Sequence, residues 1–248
     1  MINAEDETEM SLFMMEVFKK AMEEKGTMFV PTEGSKVAVA INRFKTLLNK
    51  GIKYKLGAGG RNPNNKTPET FRDGVLGCDC AGAVSWAWGF DRFQDYSLWL
   101  KNRPGQFSPD SLSGGEIKGP GSDYNSFDYY GGWINTDSML QDAFDNNNDW
   151  FEHLDTPIPG CIVAYGSVGK GKDRRIGHEG LVIEAPVVFD RDNPEHWKRL
   201  KVIDCRSSKP AIAIRDGLTW FGNDRKGRPK QSQFCWPTSV AGPASDLQ

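Results

Sequence analysis

Four short apolar runs in the second half of the chain constrain its fold more than any other feature. They are CIVAY (161–165), GLVIE (180–184), LKVID (200–204) and AIAIRD (211–216). Each run has the length and apolar character of a β-strand, and turn residues separate each run from the next. Because strands joined by short connections pair readily as antiparallel neighbours, the sequence predicts an antiparallel meander.

Helical patterns occupy the part of the chain before these runs. Residues 35–50 carry apolar side chains on one helical face and are followed by Gly51, which is typical of a helix end. The stretch CDCAGAVSWAWGF (78–90) has small and aromatic residues at helical spacing, which suits close packing on a sheet. A Met- and Phe-rich pattern at residues 10–22 predicts a further helix with a core or docking face. Helices followed by an antiparallel sheet indicate the α+β class.

The composition of the remaining stretches predicts how the chain is organised. Residues 1–30 form an N-terminal helical extension in this interpretation, and residues 31–216 form the main domain. Within that domain, residues 91–155 are rich in Gly, Ser, Asp, Asn and aromatics. A long insertion of this kind is typical of a functional or a disordered loop. Residues 217–248 are basic and then polar, which predicts a tail that wraps the surface or frays.

Charge and hydropathy exclude several classes of protein. The 31 Lys and Arg against 33 Asp and Glu give a net charge of −2, so no global basic field draws the chain to nucleic acid. No apolar run approaches the roughly 18 residues that a membrane span needs. The start MINAEDETEM lacks the cationic and apolar regions of a secretory signal. We therefore expect synthesis in a cytoplasm, with any export by another route.

Cys80 is the strongest candidate nucleophile. It lies where a Gly-rich loop meets a predicted helix, and a helix N-terminus carries a partial positive charge and free amides. These features lower a thiol pKa and supply donors to an oxyanion, although a buried structural cysteine fits the position too. The five cysteines have irregular spacing, which predicts free thiols. A zinc site on the Cys78–Cys80 pair is disfavoured because its spacing is too short and no second pair follows. The sequence thus predicts no metal and no cofactor.

His178 and Asp204 are the candidate partners of that thiol. If the second and third β runs are antiparallel neighbours, a register that pairs Gly180 with Val202 also pairs His178 with Asp204, about 5 Å apart on one face. The carboxylate would orient the imidazole, and the imidazole would deprotonate a thiol, as Cys–His–Asp catalysis requires. A polar strand end and a turn cap are the alternative roles for the two residues.

The ordered motifs resemble the NlpC-type cysteine peptidases of bacterial cell walls, which are papain-like in fold. The matching features are the helix at 35–50, Tyr54 with Gly59-Gly60, Asp79-Cys80-Ala81-Gly82, Pro159-Gly160-Cys161, Gly177-His178, and Asp204 in VIDCRSS. Their order agrees over residues 35–216. Ala81 and Cys161 stand where the family usually has Ser and Asp, and the insertion at 91–155 is longer than usual.

This resemblance implies a papain-like fold in which the nucleophile helix packs on a central antiparallel sheet. It implies hydrolysis of amide bonds in peptidoglycan stem peptides by Cys80, His178 and Asp204. It also implies that Tyr54 points its hydroxyl towards the thiol. We therefore expect Tyr54 and Asp79 to bind the oxyanion or the substrate, and the backbone amide at Cys80 to complete the oxyanion hole.

Two aromatic residues of the insertion, Tyr130 and Trp133, complete the predicted site. On a polar loop they could stack on sugar or peptide faces, or they could form a minicore that holds the loop down. We also expect part of the insertion to border the cleft.

The expected ligand is peptidoglycan or a muropeptide, met at the bacterial cell wall or in the periplasm by a phage lysin or a delivered effector. An immunity protein, an inhibitor or a phage structural protein is the expected protein partner. A papain-like acyltransferase or transglutaminase-type enzyme would use the same residues, and a non-catalytic phage tail module would keep only the fold.

Overall fold

In the computed structural model of the chain, the described residues are 28–92, 134–144, 150–168, 175–227, 230–242 and 244. Their strands are β1 (Met28–Phe29), β2 (Thr70–Arg72), β3 (Val75–Gly77), β4 (Glu152–Leu154), β5 (Ile162–Tyr165), β6 (His178–Pro186), β7 (Lys201–Cys205), β8 (Ile212–Asp216) and β9 (Gln233–Trp236). Their helices are α1 (Lys36–Lys45), α2 (Cys80–Trp88), α3 (Thr136–Phe144), α4 (Pro194–Arg199) and α5 (Thr238–Ala241), with a 3₁₀ turn at Gly217–Thr219. Over these ranges, no helix has the length and apolar character needed to cross a bilayer.

One antiparallel sheet forms the centre of the molecule. Its strand order is β4-β9-β5-β6-β7-β8, and β1 pairs with the far end of β6. The four apolar runs form β5, β6, β7 and β8, and each strand pairs with the next in chain order, which confirms the predicted meander. Strands β2 and β3 form a separate hairpin. The structure thus mixes helices with an antiparallel sheet, which is compatible with the predicted α+β class.

Helix α1 follows from its cap and its apolar stripe. The Ser35 side chain accepts a hydrogen bond from the Ala38 amide at 3.2 Å, and the buried face consists of Val37, Ala40, Ile41 and Phe44. The predicted end at residue 50 is too late, because a run of i to i+3 hydrogen bonds tightens the chain after Lys45. Asn49 and Gly51 then adopt positive φ angles and reverse the chain.

Helix α2 is buried along its entire length. Asp79 caps its N-terminus, and Gly89, in the left-handed conformation at φ 89°, ends it. A Cβ atom at Gly82 would lie 2.7 Å from the Ala58 carbonyl oxygen, so this helix can approach the Gly-rich loop only without a side chain there. Helix α2 packs on β6 and β7, which confirms the prediction that it lies on the sheet.

The chain ends depart from the predictions made for them. Strand β9 lies inside the sheet between β4 and β5, and Phe234, Cys235 and Trp236 are fully buried, so a surface tail is the wrong description of this stretch. The run QFCW is too short and too isolated for periodicity to identify, and only its tertiary partners make it a strand. Met28–Phe29, at the end of the predicted helical extension, forms β1. The helix expected at 10–22 lies outside the described residues.

Candidate functional site

His178 and Asp204 make the contact predicted for them, but through a different register. His178 Nε2 lies 2.8 Å from Asp204 Oδ2, and Asp204 is fully buried. Gly180, not His178, lies opposite Asp204, and Val182 lies opposite Val202, so the predicted register is wrong by two residues. Because side chains alternate with period two, a shift of two keeps both residues on one face, and His178 reaches Asp204 diagonally.

The environment of Asp204 keeps its carboxyl group ionised. Burial alone would raise its pKa, but the hydrogen bond and charge of His178 and the guanidinium of Arg206 outweigh burial, and the pKa lies below its ordinary value. An ionised carboxylate only accepts hydrogen bonds, so His178 Nε2 must donate. The neutral imidazole then carries its proton on Nε2 and has an unprotonated Nδ1, which is the form of a general base.

Two arginines also donate hydrogen bonds to Asp204, and one of them shares Oδ2 with His178. Arg206 donates to Oδ2 from both Nε, at 2.7 Å, and Nη2, while Arg215 Nε donates to Oδ1 at 2.9 Å. Arg215 Nη2 also donates to Ser208 Oγ at 3.0 Å. The sequence analysis missed both arginines. Their alternation with apolar residues at the ends of β7 and β8 was the available signal, but only strand pairing shows that they share a carboxylate.

Gly180 leaves the space in which this arrangement fits. A Cβ atom there would lie 2.5 Å from Val202 Cγ1, 3.0 Å from Trp220 Cζ2 and 3.2 Å from Asp204 Cβ.

We expect Gly180→Ala to lower the free energy of unfolding by about 1–3 kcal/mol, because these neighbours must move, as measured by urea denaturation. Val202→Ala in the same chain removes the nearest atom and should recover part of the loss. An alanine variant of full stability would contradict this packing.

Cys80 is the first residue of α2 and is 5% exposed. Asp79 holds this helix end: its Oδ1 accepts from the Gly82 amide and its Oδ2 from the Gly57 amide, both at 2.7 Å. The Ala83 amide bonds to the Asp79 carbonyl. Within the described part of the chain, the amides of Cys80 and Ala81 therefore remain available to an incoming acceptor.

The thiol of Cys80 differs from the prediction in its acidity. Burial raises its pKa well above the ordinary value, the negative charges of Asp79 and Glu179 raise it further, and the backbone amide of Glu179 acts in the opposite direction. The expected lowering by the helix N-terminus is thus wrong, because desolvation and two carboxylates outweigh it. The resting cysteine is a protonated thiol.

Cys80 contacts strand β6 at the residue that follows His178. The sulfur is close to the Glu179 amide, which follows His178 on β6. Among the described residues, no hydrogen bond joins the sulfur to a ring nitrogen of His178, whose Nε2 is engaged with Asp204. Direct proton transfer between Cys80 and His178 remains a prediction.

Arg92, which the sequence analysis missed, connects the parts of the chain around Cys80. It is 1% exposed. Its Nη1 lies 2.9 Å from Asp79 Oδ1 and donates to the carbonyls of Ala58 and Gly59, and its Nε donates to the Ile134 carbonyl at 2.9 Å. Asp79, grouped from the sequence with substrate-binding residues, therefore has both carboxylate oxygens engaged by the protein and serves to position the helix.

A small cleft opens beside Cys80. It is lined by the start of α2, by residues 135–137 at the start of α3, and by Ser167, Ile176 and Gly177 between β5 and β6. Asp137 Oδ1 accepts from the Ser167 amide, and Ser167 Oγ accepts from the Gly177 amide, both at 2.8 Å. Residues 135–137 belong to the insertion at 91–155, which confirms that part of it borders the cleft.

None of the three aromatic residues predicted to bind substrate is among the described residues that line this cleft. Tyr130 and Trp133 lie outside the described residues. Tyr54 forms a parallel bridge with Cys78, two residues before Cys80, and lines a separate pocket with residues 207–212. The roles predicted for all three remain predictions.

The other thiols lie in the core. Cys78 Sγ and Cys205 Sγ are 3.6 Å apart and fully buried, and burial raises the pKa of Cys161 to about 12. All five cysteines are free. The described ranges contain no group of three or more His, Cys, Asp or Glu side chains that could hold a metal ion.

Glu179 is a further buried carboxyl group that the sequence analysis missed, and it bonds to Thr136, which lines the cleft. Burial raises its pKa to about 7; a hydrogen bond with Thr136 and the charge of Arg92 oppose this rise, while Asp79 and Asp137 reinforce it. Glu179 is 1% exposed, and its Oε2 has no hydrogen bond partner among the described residues. Near neutral pH, its carboxyl group is therefore poised between its neutral and charged forms.

We expect Glu179→Gln to change how stability depends on pH. A folded-state pKa raised above the unfolded value means that wild-type stability falls as pH rises through about 7. Glutamine stays neutral, so the stability of the variant relative to wild type should improve by about 2–3 kcal/mol between about pH 5 and pH 8. Urea denaturation at both pH values measures this difference, and Glu184→Gln, on the exposed side of the same strand, is the matched control. A constant difference would contradict the assignment.

Comparison of the chain with protein-family models, with curated proteins and with solved structures found no match. The functional interpretation therefore depends on the chemistry of this site and on the motif order of the sequence.

Proposed function

We propose that this chain is an NlpC-type, papain-like cysteine hydrolase that cleaves amide bonds in peptidoglycan stem peptides. The observation that carries the proposal is the 2.8 Å contact between the His178 imidazole and the buried, ionised Asp204. His178 directly precedes Glu179 on β6, and the Glu179 amide is close to the sulfur of Cys80 at the start of α2. A thiol, an imidazole and an orienting carboxylate in this order are the groups that acyl transfer needs.

The first step of the proposed mechanism is general-base attack. Cys80 is protonated at rest, so His178 Nδ1 takes the thiol proton while Sγ bonds to the amide carbonyl carbon. This step is needed because burial raises the pKa of Cys80, whereas the sequence analysis expected the helix N-terminus to lower it. The oxygen that becomes negative accepts hydrogen bonds from the free amides of Cys80 and Ala81.

The second step breaks the amide bond. The imidazolium donates its Nδ1 proton to the leaving nitrogen as the carbon–nitrogen bond cleaves, which leaves an acyl thioester on Cys80. Water then attacks the thioester carbonyl and gives a proton to His178, and that proton returns to the departing sulfur. Asp204 remains ionised throughout and holds the ring in the required tautomer.

The substrate class rests on the resemblance of the motif order to cell-wall peptidases. The described part of the cleft has a volume of about 20 Å³, room for about one water molecule, with apolar walls from Leu56 and Ile176 and polar groups from residues 135–137. It has the size for the atoms of a scissile bond, so the substrate class rests on the motif order alone.

The proposal is tested by incubating the protein with purified peptidoglycan and identifying the products by mass spectrometry. Hydrolysis should release peptides with new amino and carboxyl termini, and rapid quenching should trap an acyl thioester on Cys80. Products joined to an added amine would support the acyltransferase instead. The absence of both a thioester and a product would contradict an enzymatic role and favour a binding module.

A further inference from the structure

The indole ring of Trp220 is stacked on the imidazole of His178. The two ring centroids are 5.6 Å apart, and the ring planes differ by 18°. Trp220 is 1% exposed, so its ring is held inside the protein. It follows the 3₁₀ turn after β8, in the segment that the sequence suggested was a tail. The mechanism proposed above gives this residue no part.

The backbone around Trp220 is anchored on both sides. Its amide donates to the Gly217 carbonyl at 2.8 Å, and its carbonyl accepts from Ser232 Oγ at 2.5 Å. The absent side chain of Gly180 provides the space for the indole, since a Cβ atom there would lie 3.0 Å from Trp220 Cζ2. The ring position is therefore determined by the fold and not by the imidazole alone.

Arg206 links Trp220 to the carboxylate that orients His178. Its guanidinium carbon lies 5.5 Å from the centroid of the Trp220 ring, and the same guanidinium donates to Asp204 Oδ2. A cation over an aromatic face is attracted by the ring electrons. The indole thus contacts the imidazole directly and also contacts the arginine that fixes the imidazole's hydrogen bond acceptor.

We propose that Trp220 is a positioning residue that fixes the ring plane of His178. A hydrogen bond from Nε2 by itself leaves the imidazole free to turn about the line to Asp204, since the second side-chain torsion of histidine has a broad minimum. The Tyr165 ring also contacts the imidazole, at 6.0 Å between centroids, but it is tilted by 50°, whereas Trp220 lies nearly parallel to the imidazole plane. A flat ring packed against its face removes that freedom and directs Nδ1 to one place. The catalytic consequence rests on the proposed function, whereas the control of ring orientation rests on the contact itself.

The direct test is nuclear magnetic resonance of the protein labelled with ¹⁵N-histidine. The chain has three histidines, so His153→Gln and His196→Gln identify the signals of His178. Recorded at a pH at which the imidazole is neutral, the wild-type spectrum should show one narrow set of signals from a ring protonated at Nε2. Trp220→Leu keeps an apolar side chain but removes the flat face, and should broaden these signals or populate the second tautomer. Trp220→Phe restores a flat ring and should restore most of the wild-type spectrum.

Trp197→Leu is the matched control. Trp197 is 3% exposed and packs on Phe189, Phe221 and Phe234, with no ring contact to His178. This substitution should lower the melting temperature as Trp220→Leu does and leave the His178 signals unchanged. If leucine at position 220 prevents folding, Trp220→Met carries the same expectation, because methionine also lacks a flat face.

Turnover supplies the second measurement. Trp220→Leu should lower kcat on the order of tenfold with little change in KM, because the base is misaligned while the cleft is intact. Unchanged His178 signals in the leucine variant, or equal disturbance by Trp197→Leu, would overturn the positioning role. Failure of wild type to cleave peptidoglycan would overturn the proposed function alone, since the resonance measurement would still decide whether Trp220 orients the ring.

Discussion

Replacing Cys80 by alanine is expected to lower hydrolysis of stem peptides by at least about three orders of magnitude while the protein stays folded. The substitution removes the sulfur atom that bonds to the carbonyl carbon. Water is a much weaker nucleophile than this thiol and does not replace it. The helix start should persist because its cap is the Asp79 carboxylate, which bonds to the Gly82 and Gly57 amides and not to the thiol. Initial rates on purified peptidoglycan, normalised to the folded fraction from circular dichroism, measure the loss.

The matched control for this loss is Cys161→Ala, which removes the same atom from another buried position. Cys161 is fully buried and does not line the cleft, so its variant should lose stability of about 1 kcal/mol or more and keep its specific activity. Cys80→Ser should be nearly as inactive as Cys80→Ala, because a serine hydroxyl is far less acidic than a thiol. Substantial turnover by Cys80→Ala would assign the chemistry to other residues.

Replacing Asp204 by asparagine is expected to lower turnover by roughly three to four orders of magnitude. The amide group can present its NH₂ to His178, which moves the imidazole proton from Nε2 to Nδ1. The nitrogen that must accept the thiol proton is then occupied, although the ring remains in place. Rates on the same substrate measure the effect, and the ¹⁵N signals of His178 report the tautomer directly.

The same substitution should destabilise the protein by about 2–4 kcal/mol at neutral pH, because Arg206 and Arg215 lose their shared counter-charge. These arginine side chains are 24% and 23% exposed, so solvent limits the loss. The pKa of Asp204 is lowered in the folded state, so its stabilising contribution is complete above the ordinary carboxyl pKa of about 4 and is lost as pH falls through the lower folded value.

The stability difference between wild type and Asp204→Asn should therefore narrow at strongly acidic pH. Urea denaturation at about pH 7 and again below about pH 3 tests this direction. Asp192→Asn, at an exposed position, is the control for loss of a carboxylate. A difference that widens in acid would contradict an ionised, arginine-paired Asp204.

Local patterns in the sequence were sufficient for the elements that carry the site. The four apolar runs predicted β5 to β8 because strand length, alternation and turn residues are properties of a few consecutive residues. The start of α2 was predictable for the same reason, since Asp79 and the small residues after it are a local helix signal. His178 and Asp204 could be placed on one face because the side-chain period of a strand is two.

The tertiary structure decided the register, the neighbours and the acidity of the groups. A bulge in β6 between Val182 and Glu184 and the pairing of Gly180 with Asp204 depend on contacts along the sheet, which no single run encodes. Arg92, Arg215 and Trp220 meet the site from elements far apart in the chain. The same reason explains the acidity of the Cys80 thiol. A helix N-terminus can be predicted from the sequence, but the pKa of Cys80 depends on burial and on the carboxylates of Asp79 and Glu179. Glu179 is about a hundred residues away in the chain, and only folding brings it beside Cys80.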